Sequence, residues 1–128
     1  MTTAANSANW LTGYIADLPT PFDADGALDL SAFANLCERQ IAAGAPAIVV
    51  SETAGEASTL SPVEQDTIIR TAVKVAHGRL RVIAGVTSNA TSKAIALARQ
   101  AEAAGADAIL SVVPYYNKPM QSGIEAHF

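Results

Sequence analysis

Polar residues able to do chemistry gather in four short stretches of this chain, each just after an apolar run. They are Thr20-Pro21-Phe22-Asp23, Glu52-Thr53-Ala54-Gly55-Glu56, Thr87-Ser88-Asn89 and Tyr115-Tyr116-Asn117-Lys118. In the second stretch a hydroxyl at Thr53 stands beside the backbone amides of Ala54 and Gly55, and the glycine lets a ligand approach the main chain. That combination suits a small carboxylate. The plainer alternative is that Thr53 and Glu56 only satisfy loop backbone groups. The fourth stretch sets two phenols side by side after a proline. A phenol of ordinary pKa, about 10, is a poor base at neutral pH, yet it can pass a proton along a hydrogen-bonded chain; packing or an interface is its plainer role. Amine catalysis needs a lysine in a desolvated site, preferably on a strand inside a barrel mouth. Lys74 and Lys93 fall in helical patterns and Lys118 in a loop, so the spacing predicts that a Schiff-base lysine would lie beyond Phe128. No cluster of His, Cys or carboxylates has metal-ligand spacing, and neither metal nor cofactor is expected.

The elements that must carry these stretches follow from the apolar pattern. Gly13 to Leu18, Ala47 to Val50, Arg81 to Ala84 ending at Gly85, and Ala108 to Val113 are short, continuously apolar runs, which fit buried parallel strands better than alternating antiparallel ones. Between them Phe33, Leu36, Cys37 and Ile41 recur at helical spacing, as do Ile68 or Ile69, Ala72, Val73 and Ala76. Ser61, Pro62 and Glu64 spell a capping box with proline in the first turn, and Gly78 marks that helix's end. A third helix is predicted over Thr91 to Ala104, stopping at Gly105, and Gln121 to Phe128 reads as the opening of a fourth. The run Ala42-Ala43-Gly44-Ala45-Pro46-Ala47-Ile48 returns 61 residues later as Ala103-Ala104-Gly105-Ala106-Asp107-Ala108-Ile109, two units of about thirty residues on.

Four such units make either a small open sheet or half of an eight-fold barrel. The turn after the first strand carries Pro19-Thr20-Pro21 and no glycine-rich fingerprint, so dinucleotide binding finds no support. A complete (β/α)8 TIM barrel takes about 250 residues, and this chain has 128. The expected fold is therefore α/β: residues 1–12 as an N-terminal tail, and 13–128 as the N-terminal half of a single TIM-barrel domain, ending at the start of its fourth helix. Half the residues are hydrophobic and the net charge is −4, with no basic run, which argues against nucleic acid or an anionic membrane as partner. The lone Cys37 precludes an internal disulfide. The polar start lacks a signal-peptide pattern and no apolar run is long enough to span a bilayer, so the expected compartment is the cytoplasm.

Taken together, Thr20-Pro-Phe, Thr53-Ala-Gly-Glu56 with Thr59-Leu-Ser-Pro-Val-Glu64, Ala84-Gly85 with Ser88-Asn89-Ala-Thr91, and Pro114-Tyr-Tyr-Asn-Lys-Pro119 resemble the N-terminal half of the dihydrodipicolinate synthase / N-acetylneuraminate lyase family of pyruvate-dependent lyases. The Pro-Tyr-Tyr-Asn-Lys-Pro segment leans toward the synthase branch. The resemblance implies a barrel, usually homotetrameric, that condenses pyruvate with aspartate 4-semialdehyde on the lysine and diaminopimelate route. It implies a Schiff base to a lysine on the sixth strand, and a proton relay of one Thr and two Tyr. Thr53 matches the relay threonine, and Tyr116 the tyrosine donated across a dimer interface. Tyr115 would line that interface. The loop at Thr53 and Ala54 would hold the pyruvate carboxylate.

Two departures from the family pattern stand out. The usual Gly-Thr-Thr-Gly-Glu reads Glu52-Thr53-Ala54-Gly55-Glu56 here, so one hydroxyl is missing and a glutamate replaces a glycine. Losing one hydrogen bond to a charged group costs about 1.5–3 kcal/mol unless another group compensates, which keeps open a different keto-acid aldolase or hydratase-aldolase. A non-catalytic half-barrel that serves only for assembly is the third reading. In lysine-sensitive members a glutamate stands where this chain has Lys93 and a histidine where it has Gln65, while Asn89 and Tyr115 match. An inhibitor ammonium would meet a like charge at Lys93, so weak or absent inhibition by lysine is expected.

Overall fold

The computed structural model describes residues 9–128; the first eight residues of the expected tail lie outside the described residues. Four parallel strands form one sheet in the order β1-β2-β3-β4 (β1 Ala16–Asp17, β2 Ala47–Val50, β3 Arg81–Gly85, β4 Ala108–Leu110), each pairing with the strand before it in sequence. Helices α1 (Leu30–Ala42), α2 (Pro62–Ala76) and α3 (Thr91–Ala104) make the crossovers, and α4 spans Gln121–His127. The two central strands match the sequence expectation. The outer two are shorter than their apolar runs: β1 keeps two residues of Gly13–Leu18, and β4 three of Ala108–Val113. Each extends only as far as its ladder with the neighbouring strand: Ala16 and Asp17 pair with Ile48 and Val49, and Ala108–Leu110 with Ile83–Gly85.

Side chains alternate across the sheet. Ile48 and Val50 of β2, with Val82 and Ala84 of β3, pack against Phe33 and Cys37 of α1, Ile68 and Ala72 of α2, and Leu97 and Ala101 of α3. Ala47, Val49 and Ile83 point to the opposite face, where Trp10, Ile15 and Ala108 cover them. This inward face is the one whose upper rim carries the four polar stretches. Cys37 belongs to the core, and burial pushes its thiol up to about 11, with Glu38 adding to the effect. It is a packing residue, not a nucleophile.

Helix ends are built as the sequence proposes at α2 and α3. The Glu64 amide donates to Ser61 Oγ at 3.2 Å and the Ser61 amide to Glu64 Oε2 at 2.7 Å, with Pro62 in the first turn. Gly105 caps α3 at φ 90°, a left-handed conformation that favours glycine. Replacing Ser61 by alanine is expected to lower the unfolding free energy by about 1 kcal/mol in a denaturant titration. The Ser61 amide and hydroxyl hold the Glu64 carboxyl below its ordinary range. The cap is therefore complete at neutral pH and weakens as pH falls through that lowered value, where the gap between wild type and Ser61→Ala should narrow but not close, because the Glu64 amide still donates to Ser61 Oγ.

Candidate active site

The loop after β2 is where most of the polar architecture converges. Ser51 leaves β2 at φ 54°, breaking the strand's alternation and turning the chain over the inward rim. A tight turn follows, with the Glu56 amide donating to the Thr53 carbonyl at 3.2 Å and the Ala57 amide to the Glu52 carbonyl at 3.2 Å. Three contacts from outside hold this loop. Buried Thr20, just past β1, donates its hydroxyl to the Gly55 carbonyl at 2.7 Å. Gln65 of α2 donates from Nε2 to the Ala57 carbonyl at 2.9 Å. The Ala54 amide donates to Asp17 Oδ2 of β1 at 2.9 Å. That last amide was expected to be free for a carboxylate; in this structure it already has one, supplied by β1.

Glu52 is the charged residue most deeply set in this rim, at 5 % exposure. Both its carboxylate oxygens lie 2.8 Å from Thr87 Oγ1, which donates to them from the loop after β3. Room for the side chain exists because position 85 has no Cβ: one built there would lie 2.5 Å from Glu52 Oε2 and closer still to the Ser51 carbonyl. Burial raises the Glu52 pKa above the usual carboxylate range; the Thr87 hydroxyl opposes the shift, the charge of Asp17 adds to it and the Thr53 hydroxyl opposes it. Folding thus favours the protonated carboxyl, and Glu52 subtracts from stability as pH rises through its raised value.

Glu52, Thr53, Ala57, Ser58, Thr87 and Tyr115 line one cavity of about 160 Å³ on this rim. Of the residues singled out in the sequence, Glu52, Thr53, Thr87 and Tyr115 therefore share one cavity lining. Tyr116 does not join them: it is 91 % exposed and turned outward at φ 68°. Asn89 accepts at its backbone carbonyl from Asn117 Nδ2 at 3.4 Å, linking the loops after β3 and β4, and Lys93 is exposed on the first turn of α3. The roles of Asp17 and Thr87 were not apparent in the sequence. Asp17 sits in an apolar strand, an anomaly that is itself a signal; Thr87 stands in one of the four polar stretches, but nothing in the sequence pairs it with Glu52. Among the described residues no group of three or more His, Cys, Asp or Glu could hold a metal ion, and no helix is long and apolar enough to cross a membrane.

Comparison with known proteins places this geometry. The profile of the Dihydrodipicolinate synthetase family matches residues 10–128. The chain belongs to that family. It is 47 % identical over 116 residues to the 4-hydroxy-tetrahydrodipicolinate synthase of Gluconobacter oxydans, and 54 % identical over 116 residues to that of Hyphomonas neptunium. Each match covers 91 % of this chain and 39 % of the relative, so the chain spans about two-fifths of the length of these curated relatives. Among solved structures, dihydrodipicolinate synthase from Aquifex aeolicus superposes with a TM-score of 0.86 at 47 % identity, covering 90 % of this chain and 39 % of that one. A synthase from Acinetobacter baumannii complexed with pyruvate gives 0.88 at 43 % identity, covering 90 % and 40 %. One from Cyanidioschyzon merolae with lysine bound gives 0.89 at 39 % identity, covering 93 % and 41 %. The four βα units are those of a partial (β/α)8 barrel of the dihydrodipicolinate synthetase family.

Proposed function

We propose that this chain is the N-terminal half of a class I, Schiff-base synthase that condenses pyruvate with L-aspartate 4-semialdehyde. The observation that carries the reading is Thr53, which lines the rim cavity together with Tyr115, in a chain whose relatives bear the synthase name. In this reading a lysine beyond Phe128 condenses with the pyruvate ketone and releases water. The resulting iminium acidifies the adjacent methyl, whose carbon then attacks the aldehyde. Thr53 and Tyr116 pass protons through these steps, Tyr116 reaching the site of a second copy from its outward position. The loop at Thr53 and Ala54 receives the pyruvate carboxylate, which takes the Ala54 amide only by displacing Asp17. The protein is then a cytoplasmic homo-oligomer, a dimer of dimers, acting without a cofactor on small molecules alone.

Borohydride reduction in the presence of pyruvate, followed by intact-mass measurement and peptide mapping of the protein expressed from its own gene, tests this directly. One trapped adduct on a lysine outside these 128 residues is expected. An adduct on Lys118, or none at all, overturns the reading. A second reading, a keto-acid aldolase or hydratase-aldolase with a longer aldehyde partner, is favoured specifically by Ala54 and Glu52. Turnover with aspartate semialdehyde against longer aldehydes separates the two.

Lysine sensitivity gives a further expected outcome. Lys93 brings a positive charge to the position where sensitive members carry a glutamate, and the Gln65 amide is buried and engaged with the Ala57 carbonyl. Activity should therefore be insensitive to submillimolar lysine. Strong inhibition in that range would sink the argument from Lys93.

A further inference from the structure

The rim cavity is unusual for a site meant to hold an anion. Glu52 contributes a buried carboxyl to its lining, Asp17 stands close enough to act on that carboxyl, and no Lys, Arg or His is among the lining residues. The groups facing Glu52 come from every neighbouring element: Asp17 from β1, Thr53 from its own loop, Gly85 and Thr87 from β3 and the loop after it, and Tyr115 from the loop after β4. Position 54 offers no hydroxyl, and its amide is held by Asp17. A carboxylate entering here meets a second carboxylate before it meets a cation of this half of the barrel. Two like charges in one cavity, one of them on a buried side chain, cannot both persist at low cost, and Glu52, the buried one, is the group that takes up a proton.

We infer that Glu52 governs keto-acid binding through its protonation state: the mouth binds the substrate carboxylate only with Glu52 neutral, so that binding takes up one proton wherever Glu52 is ionised in the free protein. This rests on the keto-acid reading above. The geometry allows the neutral state without rearrangement, because the Thr87 hydroxyl that donates to the carboxylate can equally accept from the carboxyl. With Thr87 still donating to the carbonyl oxygen of the neutral carboxyl, the one Glu52 proton is free to be donated toward the ligand and to supply what position 54 lacks.

The test is calorimetric titration of pyruvate into the protein expressed from its own gene, between about pH 6 and pH 9, with Glu52→Gln and Ala54→Thr in parallel. Glutamine keeps the volume and a partner for Thr87, and it cannot ionise. For wild type, affinity should fall by up to tenfold per pH unit once Glu52 ionises in the free protein. Glu52→Gln should remove one proton from the linkage, flatten that slope and bind more tightly than wild type at the alkaline end. Ala54→Thr should tighten binding while leaving the slope in place. A wild-type affinity independent of pH, or an identical slope in Glu52→Gln, overturns the inference and leaves the keto-acid reading standing. Absence of pyruvate binding by both proteins at every pH overturns the keto-acid reading itself, and this inference with it.

Discussion

Alanine at position 85 is expected to destabilise the protein by about 3 kcal/mol, far more than one added methyl group ordinarily does. Overpacking is tolerated when the neighbour is a flexible side-chain tip that can swing away. Here the nearest atom to the new Cβ is the carbonyl oxygen of Ser51, fixed by a backbone at φ 54° that opens the loop after β2. Relief requires β2 and β3 to separate just past the last pair of their register, Val50 opposite Ala84. Against a total stability of about 5–15 kcal/mol, such a loss is visible in both yield and melting temperature. The double variant Gly85→Ala with Glu52→Ala distinguishes the two sources of crowding. Removing the Glu52 side chain leaves the Ser51 carbonyl where it was, so the double variant should stay close to Gly85→Ala. Full recovery of stability would show that the carboxyl alone caused the clash.

The second large effect concerns chemistry. Thr53→Val keeps the shape of the side chain and removes its only proton-carrying group. If Thr53 relays a proton, turnover should fall by about 10²-fold, equivalent to about 2.7 kcal/mol of barrier. The KM for pyruvate should change little, and borohydride should still trap the adduct, because Schiff-base formation with the lysine does not need this hydroxyl to the same degree. Thr53→Ser should restore most of the rate. Turnover of Thr53→Val within twofold of wild type would leave the hydroxyl a loop residue only.

The central part of the fold was readable from local pattern because local pattern causes it. The β-branched run at Ala47–Val50 and the run at Arg81–Gly85 have neighbours on both sides, so every residue of each finds a pairing partner and the whole run becomes strand. The capping box at Ser61 is a contact between residues three apart, and the sequence contains all of it. Extents at the edges were less legible: Gly13–Leu18 and Ala108–Val113 are as apolar as the central strands, but pairing there depends on what lies alongside. The Asp29 cap of α1, whose side chain accepts from the Ala32 amide at 2.9 Å, could have been found from an aspartate standing just before a helical repeat.

At the site, the four loops were placed by topology alone, since parallel strands deliver all their C-terminal ends to one rim. What the sequence withheld were the ties across that rim. Glu52 and Thr87 are 35 positions apart, and Asp17 and Ala54 are 37 apart. No periodicity links them, and each becomes legible only when the register of adjacent strands is known. Glu52 stands where the family pattern has a glycine; with Gly85 opposite, the room for its side chain is supplied from the neighbouring strand.

The strand order also governs how the chain comes into being. Within these four units every strand pairs with the one synthesised just before it, so the loop-closure cost of each of these additions stays low. A ribosome can release this polypeptide one βα unit at a time, each unit docking on a finished template. The growing tip is then the outer edge of β4, with Ile109 and Leu110 open to solvent. During synthesis that edge is the surface on which mispairing between nascent chains would begin, and the one that a holding chaperone would cover first.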